Sequence, residues 1–131
     1  MAKRILLCDD EIPILRAAEF KLRRGGYEVE IASDGEEAWE IICARPPDVL
    51  VTDCQMPRLD GPGLIRRIRE NPATAELPIV MLTARGFDLS HDELAAQWGV
   101  LAVLAKPFSP RELLEMINGI VCERPTPVPS P

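Results

Sequence analysis

Cysteine is scarce in this 131-residue chain, and the four present, Cys8, Cys43, Cys54 and Cys122, form no C-x-x-C pair. That spacing excludes the common zinc-ligand patterns. A disulfide framework is equally out of place in an acidic, core-forming chain of this size. Cys8 and Cys54 lie in or beside apolar runs and read as small hydrophobes in a reducing compartment. No segment approaches the roughly 18 apolar residues of a membrane span. The apolar stretch after Lys3-Arg4 stops at Asp9-Asp10-Glu11 and does not read as a secretory leader. Positive charge is also in deficit, with a net charge of −6 and a pI near 4.8. That balance argues against nucleic acid as a direct partner, because phosphate contacts need clustered Lys and Arg. The basic residues that do cluster, Arg66-Arg67-Arg69 and Lys21-Arg23-Arg24, are interleaved with apolar positions and read as solvated helix faces. The single histidine, His91, stands in a polar stretch and reads as a surface residue. What remains is a soluble, cytoplasmic, single domain large enough to bury a core.

The chain does have a regular alternation. Ile5–Cys8, Val49–Val51 and Ile79–Leu82 are short continuous apolar runs, as expected of strands covered on both faces. Glu28–Ile31 alternates polar and apolar, which suits an edge strand, and Val100–Ala105 is a fifth apolar run. Between them lie helix-like stretches. Ile14–Arg24 stops at Gly25-Gly26, a pair suited to a helix C-cap. Gly35–Ala44 stops at Pro46-Pro47, Gly63–Glu70 stops before Pro72, and Leu89–Trp98 stops at Gly99. Ser109–Val121 opens with Ser109 as N-cap, Pro110 at the first helical position and Glu112 where a capping box places its acid. Five β-α repeats predict an α/β fold, a parallel five-stranded sheet with helices on both faces. With Glu28–Ile31 at an edge, the predicted strand order is 2-1-3-4-5. Residues 123–131 carry proline at every second position from Pro125 and read as an extended tail or linker.

Three strand ends carry charge. Asp9-Asp10 follows the first run, Asp53 closes the middle one and Lys106-Pro107 follows the last. In an open α/β sheet ligands bind at the carboxyl ends of the strands, so these groups are expected to converge. Crowded carboxylates raise one another's pKa unless a cation intervenes, and Mg²⁺ accepts such oxygen ligands. A remaining Asp could then act as a nucleophile toward phosphorus. Lys106 would supply positive charge to a transferring phosphoryl group, from a Lys106–Pro107 bond where a cis peptide is affordable. Thr83, at the exit of the fourth strand, offers a hydroxyl. Each has a plainer alternative: Asp9-Asp10-Glu11 as helix-capping acids, Lys106 as a surface lysine, Thr83 as a strand end. What favours the joint reading is that all fall at one end of the sheet.

The acidic pair Asp9-Asp10, the segment Asp53-Cys54-Gln55-Met56-Pro57-Arg58-Leu59-Asp60-Gly61, Thr83-Ala84 and Lys106-Pro107-Phe108 together resemble the receiver domain of two-component response regulators, over roughly Lys3 to Val121. The resemblance implies a flavodoxin-like, doubly wound three-layer sandwich, with a receiver domain over residues 1–122. It implies that Asp53 accepts a phosphoryl group from a phosphohistidine of a histidine kinase or histidine phosphotransfer protein. Asp10, Asp53 and the backbone carbonyl of Gln55 would bind Mg²⁺ directly (Mn²⁺ being an acceptable substitute), with Asp9 acting largely through water. Lys106 would pair with the phosphoryl oxygens and Thr83 would move toward them. The added charge would switch the face made by Leu89–Trp98, Val100–Ala105 and Ser109–Val121 for an unknown downstream protein. Self-catalysed transfer and autodephosphorylation are implied, not turnover as an enzyme.

Two departures stand out. Val103 occupies a position where many members carry an aromatic switch residue, and Leu101-Ala102-Val103-Leu104 lacks the acidic pair of DNA-binding members. A more apolar face is expected there, near Trp98, although Trp98 packed in the core is the plainer expectation. Gln55 and Arg85 are expected to flank the site mouth. An aspartyl-nucleophile hydrolase of the haloacid dehalogenase type is disfavoured, because it needs an acid where Gln55 stands. A never-phosphorylated scaffold usually lacks one of the acidic or lysine positions, and none is missing. No output domain is visible, so DNA binding or output catalysis would lie elsewhere.

Overall fold

Three apolar runs become three strands buried along their whole length: β1 (Arg4–Cys8), β3 (Val49–Asp53) and β4 (Ile79–Thr83). The edge strands are β2 (Glu28–Ala32), which keeps its alternation of exposed and buried residues, and the half-buried β5 (Ala102–Ala105). The sheet is parallel throughout and runs β2-β1-β3-β4-β5, the order predicted. This computed structural model describes residues 3–54, 58–83 and 99–123; the predicted helix Leu89–Trp98 and all but the first residue of the predicted tail lie outside them.

Alternate side chains of the buried strands point to opposite faces, as the pleat requires. Leu6, Cys8, Leu50, Ile79 and Met81 meet helices α2 (Gly35–Ala44) and α3 (Gly61–Glu70) through Ala38, Ile42, Leu64, Ile65 and Ile68. Ile5, Leu7, Val49, Val51, Val80 and Leu82 meet α1 (Ile12–Arg24) and α4 (Pro110–Glu123) through Leu15, Ala18, Leu22, Leu113 and Ile117. The result is the three-layer sandwich expected, with two apolar cores separated by one sheet.

Helix starts differ from prediction where Pro opens the turn. α1 begins at Ile12 rather than Ile14 and α3 at Gly61 rather than Gly63, with Pro13 and Pro62 in their first turns. Proline is at ease there because its missing N–H has no helical partner anyway. Asp60 caps α3 by accepting from the Gly63 N–H at 2.8 Å, and Asp34 caps α2 by accepting from the Glu37 N–H at 2.9 Å. β5 starts at Ala102, not Val100, although Val100 is buried just before it. The predicted capping box of α4 forms: Ser109 Oγ accepts from the Glu112 N–H at 3.1 Å, and Glu112 Oε1 accepts from the Ser109 N–H at 3.3 Å. α1 ends as foreseen at Gly25-Gly26, with Gly26 at φ +99°, a conformation that favours glycine.

Leu59, shortly before α3, lies against the start of α2. A Cβ placed on Gly35 would sit 2.0 Å from the Leu59 carbonyl oxygen, a backbone atom with no room to yield. Gly35→Ala should therefore destabilise the fold by about 1–3 kcal/mol, the usual range for overpacking, read as a lower urea midpoint at unchanged slope. An unaltered midpoint would mean that the loop shifts freely.

Candidate functional site

Parallel strands share one carboxyl edge, and there the sequence places its charged residues. Asp9 follows β1 and is fully buried; its N–H donates to the Ala32 carbonyl at 3.2 Å, and its Oδ1 accepts from the Glu11 N–H at 2.9 Å. Asp10 beside it is exposed. Asp53 is the last residue of β3, buried, with Oδ1 accepting from the Cys54 N–H at 2.9 Å. Thr83 ends β4, buried, and its carbonyl accepts from the Lys106 N–H at 2.7 Å. Lys106 follows β5, and the Lys106–Pro107 peptide bond is cis.

The lysine side chain returns over the edge to the acids. Its Nζ lies 2.7 Å from Asp9 Oδ2, 2.7 Å from Glu11 Oε1 and 3.4 Å from Asp53 Oδ1. The approach to Asp9 is off the hydrogen-bonding direction, leaving Oδ2 without an aligned donor, so that contact is an ion pair only. One oxygen from each of Asp9, Asp10 and Asp53 lies within 4.8 Å of the others. Such a set of hard carboxylate oxygens, one without an aligned donor, suits a divalent cation with oxygen coordination.

The electrostatics carry the mark of crowding. Burial, then the neighbouring Asp9 charge, pushes the Asp53 carboxyl up to about 6, against the opposing pull of Lys106 and the Cys54 N–H. Burial likewise raises Asp9 despite its contact with Lys106. Lys106 itself moves upward: burial opposes its charge, but Asp9 and Glu11 together outweigh that cost. Both partners of the Asp9–Lys106 pair rise because the carboxylate is completely enclosed and the ammonium, with three acids around it, is not. Burial also pushes the Cys54 thiol up to about 11. At neutral pH that thiol is protonated and unreactive.

Of the predicted residues, Asp9, Asp10, Asp53 and Lys106 converge. Thr83 stands at the same edge, while Val103 is half-buried two residues before it in register, opposite Met81 and against the α2–α3 core. Gln55, Arg85, His91 and Trp98 lie outside the described residues. The sequence points to Glu11 only as a capping acid. It does occupy the N-cap position of α1, but its side chain makes no cap hydrogen bond and turns to Lys106 instead. The signal available was its place directly after the acidic pair.

Residues 5–118 match the response regulator receiver domain family. The chain is 41% identical over 126 residues to a protein of Cyanophora paradoxa named "Probable transcriptional regulator ycf27", covering 95% of this chain and 51% of that protein. A Guillardia theta protein of the same name is 39% identical over 119 residues, covering 91% of this chain and 45% of that one. The chain thus spans about half the length of the curated relatives it matches. Among solved structures, the chemotaxis response regulator CheY4 of Vibrio cholerae superposes with a TM-score of 0.83 at 32% identity, covering 92% of this chain and 99% of that one. A response regulator receiver domain protein from Clostridium thermocellum gives 0.80 at 33% identity, covering 95% and 97%. With the acidic cluster and the lysine on one sheet edge, these matches show that the chain belongs to the response regulator receiver domain family, the receiver module of two-component signalling.

Proposed function

We propose that the chain is a Mg²⁺-dependent phosphoacceptor, with Asp53 as the residue modified. The observation that carries this reading is the convergence on Asp53: one ammonium 3.4 Å away, two further carboxylates clustered with it, and a buried strand end to hold it still. The Cys54 N–H fixes Oδ1, so Oδ2 is the attacking oxygen. It forms a bond to phosphorus as the P–N bond of a phosphohistidine breaks, and the electron pair of that bond returns to the imidazole nitrogen. The product is an acyl phosphate on Asp53. Attack of water on phosphorus later releases inorganic phosphate and restores the carboxylate, so the chain is consumed and regenerated rather than acting as a turnover enzyme.

Asp10, Asp53 and the Gln55 carbonyl that the family resemblance implies would hold the Mg²⁺, with Asp9 acting largely through water. When bound, it supplies positive charge against the phosphoryl oxygens and relieves the repulsion among the acids. Lys106 would contribute a second positive charge, and Thr83 a hydroxyl from the end of β4. The donor is a histidine kinase or histidine phosphotransfer protein, the setting is the cytoplasm, and the output is an altered surface for a downstream protein. Among the described residues no helix is long and apolar enough to cross a membrane.

Incubation with acetyl phosphate and Mg²⁺ should add a single phosphoryl group by intact-mass spectrometry. The adduct should vanish in Asp53→Asn and in the presence of a chelator. An adduct that survives the substitution would place the acceptor elsewhere.

The raised Asp53 carboxyl also predicts a stability profile. The folded state holds this proton up to about pH 6, whereas the ordinary value is 3.8. The group therefore favours the fold most below pH 4, and that contribution is lost as pH rises through 6. In chelator at pH 7.5, Asp53→Asn should be more stable to urea than the wild type by up to about 3 kcal/mol. The gap should close toward pH 4. A gap that is absent at pH 7.5, or that widens in acid, would refute the assignment.

A further inference from the structure

Lys106, one of three lysines in the chain, sits unevenly among its acids. Asp9 and Glu11 each approach to 2.7 Å, while the phosphoacceptor Asp53 stands off at 3.4 Å. Among the described residues, the aligned hydrogen bond from Nζ goes to Glu11 Oε1, since the Asp9 contact is misdirected. Asp9 is wholly buried, and its other oxygen is pinned by the Glu11 N–H. The Glu11 side chain is about half exposed and caps nothing.

We propose that Glu11 is a positioning residue that holds Lys106 away from Asp53 until the phosphoryl group arrives. The inference rests on the phosphoacceptor reading of Asp53. An aspartyl phosphate carries about −1.5 to −2 charges and three strong acceptor oxygens. Of the two carboxylates now holding the lysine, only the half-exposed one can be given up cheaply: a solvated ion pair is weak, whereas stripping the ion partner from a buried acid is costly. Lys106 therefore exchanges Glu11 for a phosphoryl oxygen and keeps Asp9. Before modification the Glu11 pair is a small barrier to phosphorylation, and afterwards Glu11 is released to solvent at the head of α1.

Glu11→Gln removes the charge, while Glu11→Asp keeps the charge but shortens the reach to Nζ. Both should free Lys106. In the unphosphorylated protein, trace acylation by acetic anhydride should label Lys106 about two- to fivefold faster in both variants, the size expected of a half-exposed pair. Lys3 and Lys21 serve as internal references in the same peptide digest. The rate of adduct formation from acetyl phosphate with Mg²⁺ should rise by about the same factor. Unchanged Lys106 labelling in both variants overturns the proposal whatever the phosphorylation does. A gain in Glu11→Gln but not in Glu11→Asp shows a charge effect without anchoring and overturns it too. Absence of any adduct on the wild type overturns the phosphoacceptor reading, and the exchange with it; an adduct with unchanged labelling overturns the anchor alone.

Discussion

Three carboxylates held within a few ångströms by buried strands, with one ammonium among them, form the constraint on which the rest of this molecule depends. Charge this dense at the edge of a core is unfavourable by itself. It persists because the groups that carry it cannot move apart. Asp9 and Asp53 sit at the ends of adjacent strands, paired in register at Cys8 and Thr52, and both strands are buried on both faces. Relaxation would require breaking a continuous parallel ladder. The cost shows in the Asp53 carboxyl, raised to about 6 by burial first and by the Asp9 charge second. A site in that condition favours a divalent cation or a transferable group that changes the charge balance.

The scaffold around the edge is tied together by groups that serve two neighbours at once. Asp34 caps α2, accepts Cys8 Sγ at its carbonyl (3.4 Å) and pairs with Arg58 at 3.6 Å. Arg58 has φ +70°, a conformation uncommon for a residue with a Cβ. Leu59, next to it, lies on Gly35. Arg58 to Asp60, between β3 and α3, are therefore fixed to the helix after β2 as well as to α3. At the opposite end of the sheet, Arg4 joins Glu30 to the Arg45 and Pro46 carbonyls, holding the edge strand β2 in place. With both ends held, the acids at the carboxyl edge are set by the whole fold and not by their loops alone.

The sheet was legible in the sequence because periodicity and burial agree for β1, β3 and β4, whose continuous apolar runs leave no alternative face. Helix ends were legible where a cap is local, as at Ser109 and Gly25-Gly26. They were missed where proline begins a helix ahead of its apolar pattern, as at Pro13 and Pro62. The convergence of Asp9, Asp10, Asp53 and Lys106 followed from topology, since a parallel sheet gathers strand ends. The place of Glu11 did not follow. A glutamate before a helix reads as a capping acid by local rules. Only the return of Lys106 from 95 residues away shows that the carboxylate is engaged by something better.

Val103 bears on how such a site communicates. A branched aliphatic side chain offers no ring to rotate, and Val103 is already packed against the α2–α3 core. The direct link from the site to β5 is instead covalent and backbone-borne. Lys106 follows the strand, and its N–H donates to the Thr83 carbonyl at the end of β4. The two ends carry the two groups that would face a phosphoryl oxygen, the ammonium of Lys106 and the hydroxyl of Thr83. Both side chains project from residues joined by that hydrogen bond of 2.7 Å, which ties the exits of β4 and β5 to each other.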